Sequence, residues 1–247
     1  NGRLEFGIGS GAYQREVDRM HAGLKQTDGW LYMGEMLPAV KALWQGDYAH
    51  EGDYWTFPEA TSVPKPLQKP HPPIWVAARA PITYDYAVKN QCNIMSWPLT
   101  RPMSEVETYL GRLQTALDEN PGKARPIFSA MRHTCVYDNK DDWMVPIEAA
   151  RRQLAQFENL FKNAGGVENG FPAMIDLSTL ENRDEYDPNM LQENLMFGTP
   201  DEVIAKLRGY EALGVDQFTY YASMGLGRPE QKRSLELFID EVMPAFA

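Results

Sequence analysis

The chain has 247 residues, 43% of them hydrophobic, enough to bury a large core and to exclude a fibrous or disordered class. Its 24 basic residues face 34 acidic ones, a formal net charge of -10, so the attraction that draws proteins to phosphate backbones or anionic lipid is missing and nucleic acid and membrane surfaces are excluded as partners. Cys92 and Cys135 stand without a C-x-x-C or a paired histidine, and no apolar run approaches the roughly 18 residues of a membrane span, which predicts a cytoplasmic, enzyme-sized domain without a zinc site or disulfide framework.

Leu4 to Gly9 reads as a buried strand, with Gly7, Gly9 and Ala12 in a G-x-G-x-x-[G/A] spacing at its end. Trp30, Met33, Leu37, Val40 and Trp44 recur at helical spacing. The six prolines between Pro58 and Pro73 predict an irregular excursion over residues 45–72 before a strand from Ile74 to Ala78. Pro81 starts a helix through Tyr84, Ala87 and Val88, and Asn93 to Trp97 is the next short strand. Ser104 with Glu107 three residues on forms a capping box ahead of Val106, Leu110, Leu113 and Leu117. Ile127 to Tyr137 alternates as a longer strand with Met131, His133 and Cys135 on one face, and Leu154, Phe157, Leu160 and Phe161 mark one side of the following helix. Residues 164–197 are weakly periodic and read as a second excursion. Thr199 to Glu202 combines a capping box with a proline at the first helical position; Val203, Leu207 and Tyr210 face inward and Gly214 is the stop. Gln217 to Ala222 is the last strand, and Leu235, Phe238, Ile239 and Val242 belong to the closing helix.

Strands alternating with helices predict an α/β domain with a parallel sheet covered on both faces. A dinucleotide-binding unit would need a second strand, ending in an acid, about 20 residues past the glycines. Gly29 to Trp44 has a helical period instead, so the context argues against that use. The glycines better suit a sharp turn at the mouth of a barrel strand, where a flat ligand approaches the backbone closely.

Several segments in shared order resemble the bacterial luciferase-like, flavin-dependent monooxygenases: GRLEFGIGSG followed by an acid-bearing loop with Glu16, the proline-rich PKPLQKPHPPIWVAA, the strand NIMSW, the late GTPDEVIAKLRGYEALGVDQF and the closing RSLELFIDEVMPAF. The resemblance implies a TIM-type (β/α)8 barrel, with residues 1–247 as a single domain. Because GRLEFGIGSG is similar to the fourth barrel strand, it also implies an incomplete barrel of strands 4 to 8, about five framework strands. At roughly 30 residues per unit, the three absent ones would need about 90 more residues.

Site residues follow from the same resemblance. The flavin phosphate sits in the family at the start of the helix after the strand Trp75 to Ala78, where first-turn amides and the helix dipole favour an anion. Arg79 would add a charge-assisted hydrogen bond and Thr83 a hydroxyl. Ala80 stands where family members commonly have serine, leaving only its backbone. The alternative is that Thr83 caps the helix and Arg79 is solvated. Ser10 matches a position that is arginine in the luciferase catalytic subunit. Trp97 would lie against the isoalloxazine ring, or else is a core tryptophan. His133 is similar to a histidine of the alkanesulfonate monooxygenases and would bind substrate or act as acid or base, although a lone strand histidine is also commonly structural. Those enzymes have arginine where this chain has Met131. Tyr220, Tyr221, Met224 and Arg228 fall at the end of the barrel where active sites lie. Asp201 and Glu202 suit a helix start and Glu181 to Asp187 a solvated loop, while His21, His50 and His71 have no metal-site spacing.

The activity implied is oxidation of a small organic substrate with O2, using reduced FMN from a separate flavin reductase. A deazaflavin (F420)-dependent oxidoreductase on the same barrel is one alternative. A non-catalytic partner subunit is another, kept open by Ser10 and Ala80. Family members also commonly pair, which implies a homodimer through outer helices.

Overall fold

The computed structural model describes residues 2–21, 23–162, 165–222 and 225–246; the side chains of residues 161 and 162, and with them the expected inward place of Phe161, lie outside that description, as does residue 164 at the edge of the second excursion. The chain runs β1 (Phe6–Ile8), α1 (Gln14–Met20), α2 (Gly29–Gln45), β2 (Tyr48–Glu51), β3 (Thr56–Ala60), β4 (Ile74–Ala77), α3 (Pro81–Asn90), β5 (Asn93–Ser96), α4 (Met103–Glu119), β6 (Phe128–Val136), α5 (Met144–Lys162), β7 (Val167–Glu168), β8 (Phe171–Pro172), α6 (Pro188–Asn194), β9 (Met196–Gly198), α7 (Pro200–Leu213), β10 (Gln217–Tyr221) and α8 (Arg228–Leu237).

One sheet carries the order β1-β4-β5-β6-β10, with β9 added against the end of β6, and every pairing in it is parallel. The strands follow chain order without the reversal at which a doubly wound sheet binds its nucleotide. This is the singly wound arrangement of a TIM-type barrel. The register places Ile8, Val76, Ile94 and Phe128 side by side across four strands. They pack with Leu37 of α2, Tyr84 and Val88 of α3, Val106 and Leu113 of α4 and Leu207 of α7 in one buried cluster. Each such side chain contributes about 1.5–3 kcal/mol. The expectation of two covered faces holds at β6, where Phe128 and Ala130 face the helical layer while Cys135 and Tyr137, with Ile147 and Ala150 of α5, are buried on the other side; at the β1–β4 end that second face is open and Gly7 and Ala77 are exposed.

Local signals mostly behave as expected. The Thr199 box forms in both directions, Pro200 starts α7, and Gly214 ends it at φ 89°. The Ser104 box does not form: Pro102, fixed at φ -64°, is the N-cap two residues earlier and no side chain caps α4. Glu16 lies in α1 rather than a loop.

Both excursions hold unexpected order. Residues 45–72 contain the β2–β3 antiparallel hairpin, docked on α2 by the Glu35 carboxylate, which accepts from Tyr54 N–H at 3.0 Å, Trp55 N–H at 2.8 Å and bonds His50 Nε2 at 2.8 Å. A Cβ on Gly52 would lie 1.9 Å from Glu35 Oε1, so any side chain there would push the carboxylate out of these bonds. Residues 164–197 contain the short β7–β8 ladder, α6 and the start of β9. Asp187 caps α6 through the amides of Asn189 and Met190, and Lys206 gathers the carbonyls of Gln192, Leu195 and Phe197 at its far end. A cap at each end rescues a helix too short to stand on propensity alone.

Candidate active site

The β6–β10 register sets His133 opposite Tyr221, and their rings stack with centroids 4.5 Å apart. Trp97, one residue past β5, meets both edge-on, at 5.4 Å from His133 and 5.6 Å from Tyr221. Phe157 of α5 adds a fourth ring, 5.9 Å from Trp97. Such pairs contribute about 0.5–1.5 kcal/mol each beyond their buried area. The nest is rigid because it draws on four separate elements.

Its polar atoms are less well provided for. His133 is 2% exposed, and burial, reinforced by the neighbouring Arg132 charge, pushes its pKa down to about 3, so the imidazole is neutral near pH 7. Its Nδ1 is buried without a hydrogen-bond partner, and so is Trp97 Nε1. On α5, Gln153 donates to Tyr221 Oη at 3.4 Å while its own Oε1 is buried and unpartnered. Each orphaned group costs about 1–3 kcal/mol, and native proteins keep few of them.

A cavity of about 330 Å³ opens beside the nest, with Arg79, Trp97, Leu99, Phe157, Arg183 and Tyr186 in its wall. Arg183 bonds Glu158 at 2.8 Å and also Glu185, and its hydrogen bond holds the Glu185 carboxyl below the usual range. This network fastens residues 183–186 to α5 over the cavity.

Of the residues singled out from sequence, Arg79 and Trp97 line this one cavity, and His133 stands directly behind Trp97. Arg79 is exposed just past β4; its Nε donates to Tyr109 Oη at 3.3 Å and its carbonyl accepts from Arg112 Nη1. Ala80 is the N-cap of α3 and offers no side-chain cap. Thr83 turns its hydroxyl back onto Ala80 O, which its N–H also reaches at 2.9 Å, so the hydroxyl hydrogen is spent within the first turn although no side chain caps α3. Pro81 has no N–H, which leaves Ile82 as the open first-turn amide of α3. Ser10 is half-buried and packs its carbonyl where a Cβ on Gly29 would lie 2.1 Å away; it is not among the cavity-lining residues. Tyr220 points to the helical layer, bonding Ser234 Oγ at 2.7 Å and packing on Phe238, and so belongs to the core. Arg228 opens α8 on the surface, and Met224 lies outside the described residues.

Sequence reasoning missed Gln153 and the part played by Phe157, because a helical stripe names a buried side without saying what it faces. It also passed over Arg132, whose only signal was a charge at a buried strand position. His50 lies far along the chain in the hairpin with both nitrogens engaged, Nδ1 to Tyr48 Oη at 3.0 Å and Nε2 to Glu35. Among the described residues no group of three or more His, Cys, Asp or Glu side chains is placed to hold a metal, and no helix is long and apolar enough to cross a membrane.

A flat heterocycle with a polar edge fits these surroundings: aromatic area at Trp97, unmet hydrogen-bonding atoms at Trp97 and His133, and a guanidinium with an open helix amide to one side. Known proteins point the same way. All of this chain aligns at 39% identity with 69% of the flavin-dependent trigonelline monooxygenase, oxygenase component, of Acinetobacter baylyi. The fold matches an F420-dependent secondary alcohol dehydrogenase with a TM-score of 0.75 at 18% identity, covering 100% of this chain and 70% of the other. It also matches the FMN-bound oxygenating constituent of 3,6-diketocamphane monooxygenase from Pseudomonas putida, with a TM-score of 0.68 at 19% identity over 97% of this chain and 70% of that one. The model of the luciferase-like monooxygenases covers residues 1–217, and with that match and the full-length relative the chain belongs to the luciferase-like monooxygenase family.

Proposed function

We propose that this chain is the oxygenase component of a two-component flavin monooxygenase, working in the cytoplasm with reduced FMN delivered by a separate reductase. The observation that carries the reading is the pair of orphaned atoms, Trp97 Nε1 and His133 Nδ1, buried beside a cavity that Arg79 and Trp97 share. Bound reduced FMN would supply the electrons that activate O2, one oxygen atom entering the substrate and the other leaving as water. Arg79 and the Ile82 amide hold the phosphate at the start of α3, with Ala80 contributing backbone alone and Ser10 no direct contact. Trp97 carries the ring on its apolar face and offers it an N–H. His133, kept neutral by burial, serves as a hydrogen-bonding group and proton acceptor rather than as a standing acid. The network of Glu158, Arg183 and Glu185 keeps water from the outer side of the pocket.

The relative's name makes trigonelline the first substrate to try. The test is anaerobic titration with reduced FMN, followed by oxygen and trigonelline while oxygen uptake and product are measured, with F420 titrated in parallel. Tight binding of reduced FMN and oxygen uptake coupled to product support the proposal. Binding of F420 in place of FMN, or oxygen uptake that yields peroxide alone with trigonelline and related small substrates, overturns it.

A further inference from the structure

Arg132 sits in the middle of β6 with no exposed surface and with no carboxylate among the partners of its guanidinium. A buried cation is costly unless its hydrogen bonds are all well placed. Its Nε donates to Tyr210 Oη of α7 at 2.6 Å, its Nη1 to Leu99 O at 2.8 Å and its Nη2 to Pro102 O at 3.4 Å. Two of its three acceptors therefore belong to one short loop, residues 97–102, between β5 and α4. That loop supplies Trp97, Leu99, Thr100 and Arg101 to the cavity wall.

The loop needs holding. Leu99 has φ 55°, the left-handed region that a branched side chain avoids, inside a turn closed by Arg101 N–H to Pro98 O at 2.9 Å. A non-glycine residue there costs of order 1–3 kcal/mol and persists only where its surroundings enforce it. Two side chains enforce it from outside the cavity. Arg132 takes the carbonyl of Leu99, and Asn194, the last residue of α6, donates from Nδ2 to the carbonyl of Thr100 at 2.9 Å. The carbonyls of residues 99, 100 and 102 are thus all captured, and the side chains between them are set towards the cavity.

We infer that Arg132 and Asn194 are positioning residues that clamp a strained Leu99 turn as one wall of the binding cavity. The inference rests on the reading of that cavity as the working site. The fork geometry explains why arginine stands in this buried strand: a single ammonium cannot reach Tyr210, Leu99 and Pro102 together. It also gives α6, capped at both ends, a purpose beyond its own packing.

The full chain is compared with Asn194→Ala and Arg132→Lys by amide hydrogen exchange and by titration with oxidised FMN. Asn194 is half-buried, so its truncation leaves the core intact. Exchange at the Arg101 amide, which closes the turn onto Pro98 O, should rise by about five-fold, the worth of one neutral hydrogen bond, with protected amides of the other elements unchanged. Arg132→Lys should raise the same amide further and restore part of what a full truncation would lose. The FMN dissociation constant should rise by about the same factor in each variant. Unchanged exchange at Arg101, or a uniform rise across all elements, overturns the clamp, because a brace of the core alone would move every amide together. A wild-type chain that does not bind FMN, with the local exchange effect intact, sinks the flavin reading and leaves the clamp standing.

Discussion

His50 and His133 are both surrounded by aromatic rings, yet the chain treats them in opposite ways. His50 lies 5.8 Å from Tyr48 and 5.7 Å from Phe57, and both its nitrogens are bonded, so it fixes the hairpin to α2. His133 lies 4.5 Å from Tyr221 and 5.4 Å from Trp97, and its buried Nδ1 bonds nothing. A satisfied buried network spends its hydrogen bonds on architecture; an unsatisfied one is retained where something outside the chain completes it. The contrast sets a histidine whose hydrogen bonds are complete beside one with a hydrogen bond still to make, and it is the second that the proposed function uses.

The largest effect should come from His133→Phe. The ring stack survives, but the nitrogen that the proposed function offers to flavin or substrate is gone, and on that proposal oxygen uptake coupled to product should fall by about 10²–10⁴-fold. The melting temperature should hold or rise, because an unsatisfied buried polar atom has been removed. The pH dependence sharpens this. The folded-state pKa of His133 lies at about 3 against 6.5 for a free histidine, so its contribution to stability is fully present above 6.5 and is lost as pH falls towards 3, where the unfolded chain takes up a proton that the folded chain refuses. Calorimetry from pH 7 to pH 4 should show a component of this loss that is missing in His133→Phe. A variant that melts lower at pH 7 and keeps its turnover would make His133 as structural as His50.

Trp97→Leu comes next. It removes the ring face and the orphaned N–H together, and flavin fluorescence should report an FMN affinity weaker by about ten-fold, with Trp97→Phe in between. Arg79→Gln follows at about three-fold, since an exposed guanidinium is screened by solvent and salt. Its mark is a flatter dependence of FMN affinity on ionic strength. If Arg79→Gln outweighs Trp97→Leu, the anchor is the phosphate and not the ring.

The framework was readable because its signals are local and agree with one another. Thr199, Pro200 and Gly214 bracket α7 by cap chemistry alone, and the apolar strand cores at Ile74 and Ile94 need only a partner of either kind. The order inside the two excursions was not readable. The hairpin over residues 48–60 is held to α2 by the Glu35 carboxylate and by Tyr32, whose carbonyl accepts from the Trp55 indole, and β9 exists because β6 runs past the end of β10 and offers it Thr134 to Val136. Those are long-range pairings that no short window contains. In the proposed site, Arg79, Trp97 and His133 were singled out through resemblance, and Tyr220 was misplaced because alternation on β10 sends neighbouring tyrosines to opposite faces. Arg132 escaped notice because an arginine on a strand is ordinarily a solvated residue, and only its three acceptors show otherwise.

The smallest effect on the site should come from the hairpin, and that makes it the strictest check on the comparison. Partial burial pushes the Glu35 carboxyl up, but the Trp55 N–H, the His50 ring and the Tyr54 N–H together hold it below its usual value of 4.5. A depressed carboxyl contributes stability that is present above that value and lost as pH falls below it. Glu35→Gln keeps the shape, removes the charge and should flatten the acid limb of the stability curve, with FMN affinity and turnover unchanged. The amide can still accept from one backbone N–H, so the hairpin stays docked at neutral pH. A weaker FMN affinity in Glu35→Gln would mean that strain in the α2 hairpin reaches the nest around Trp97. The two histidines would then belong to one coupled unit, and a full set of hydrogen bonds would no longer mark a residue as merely structural.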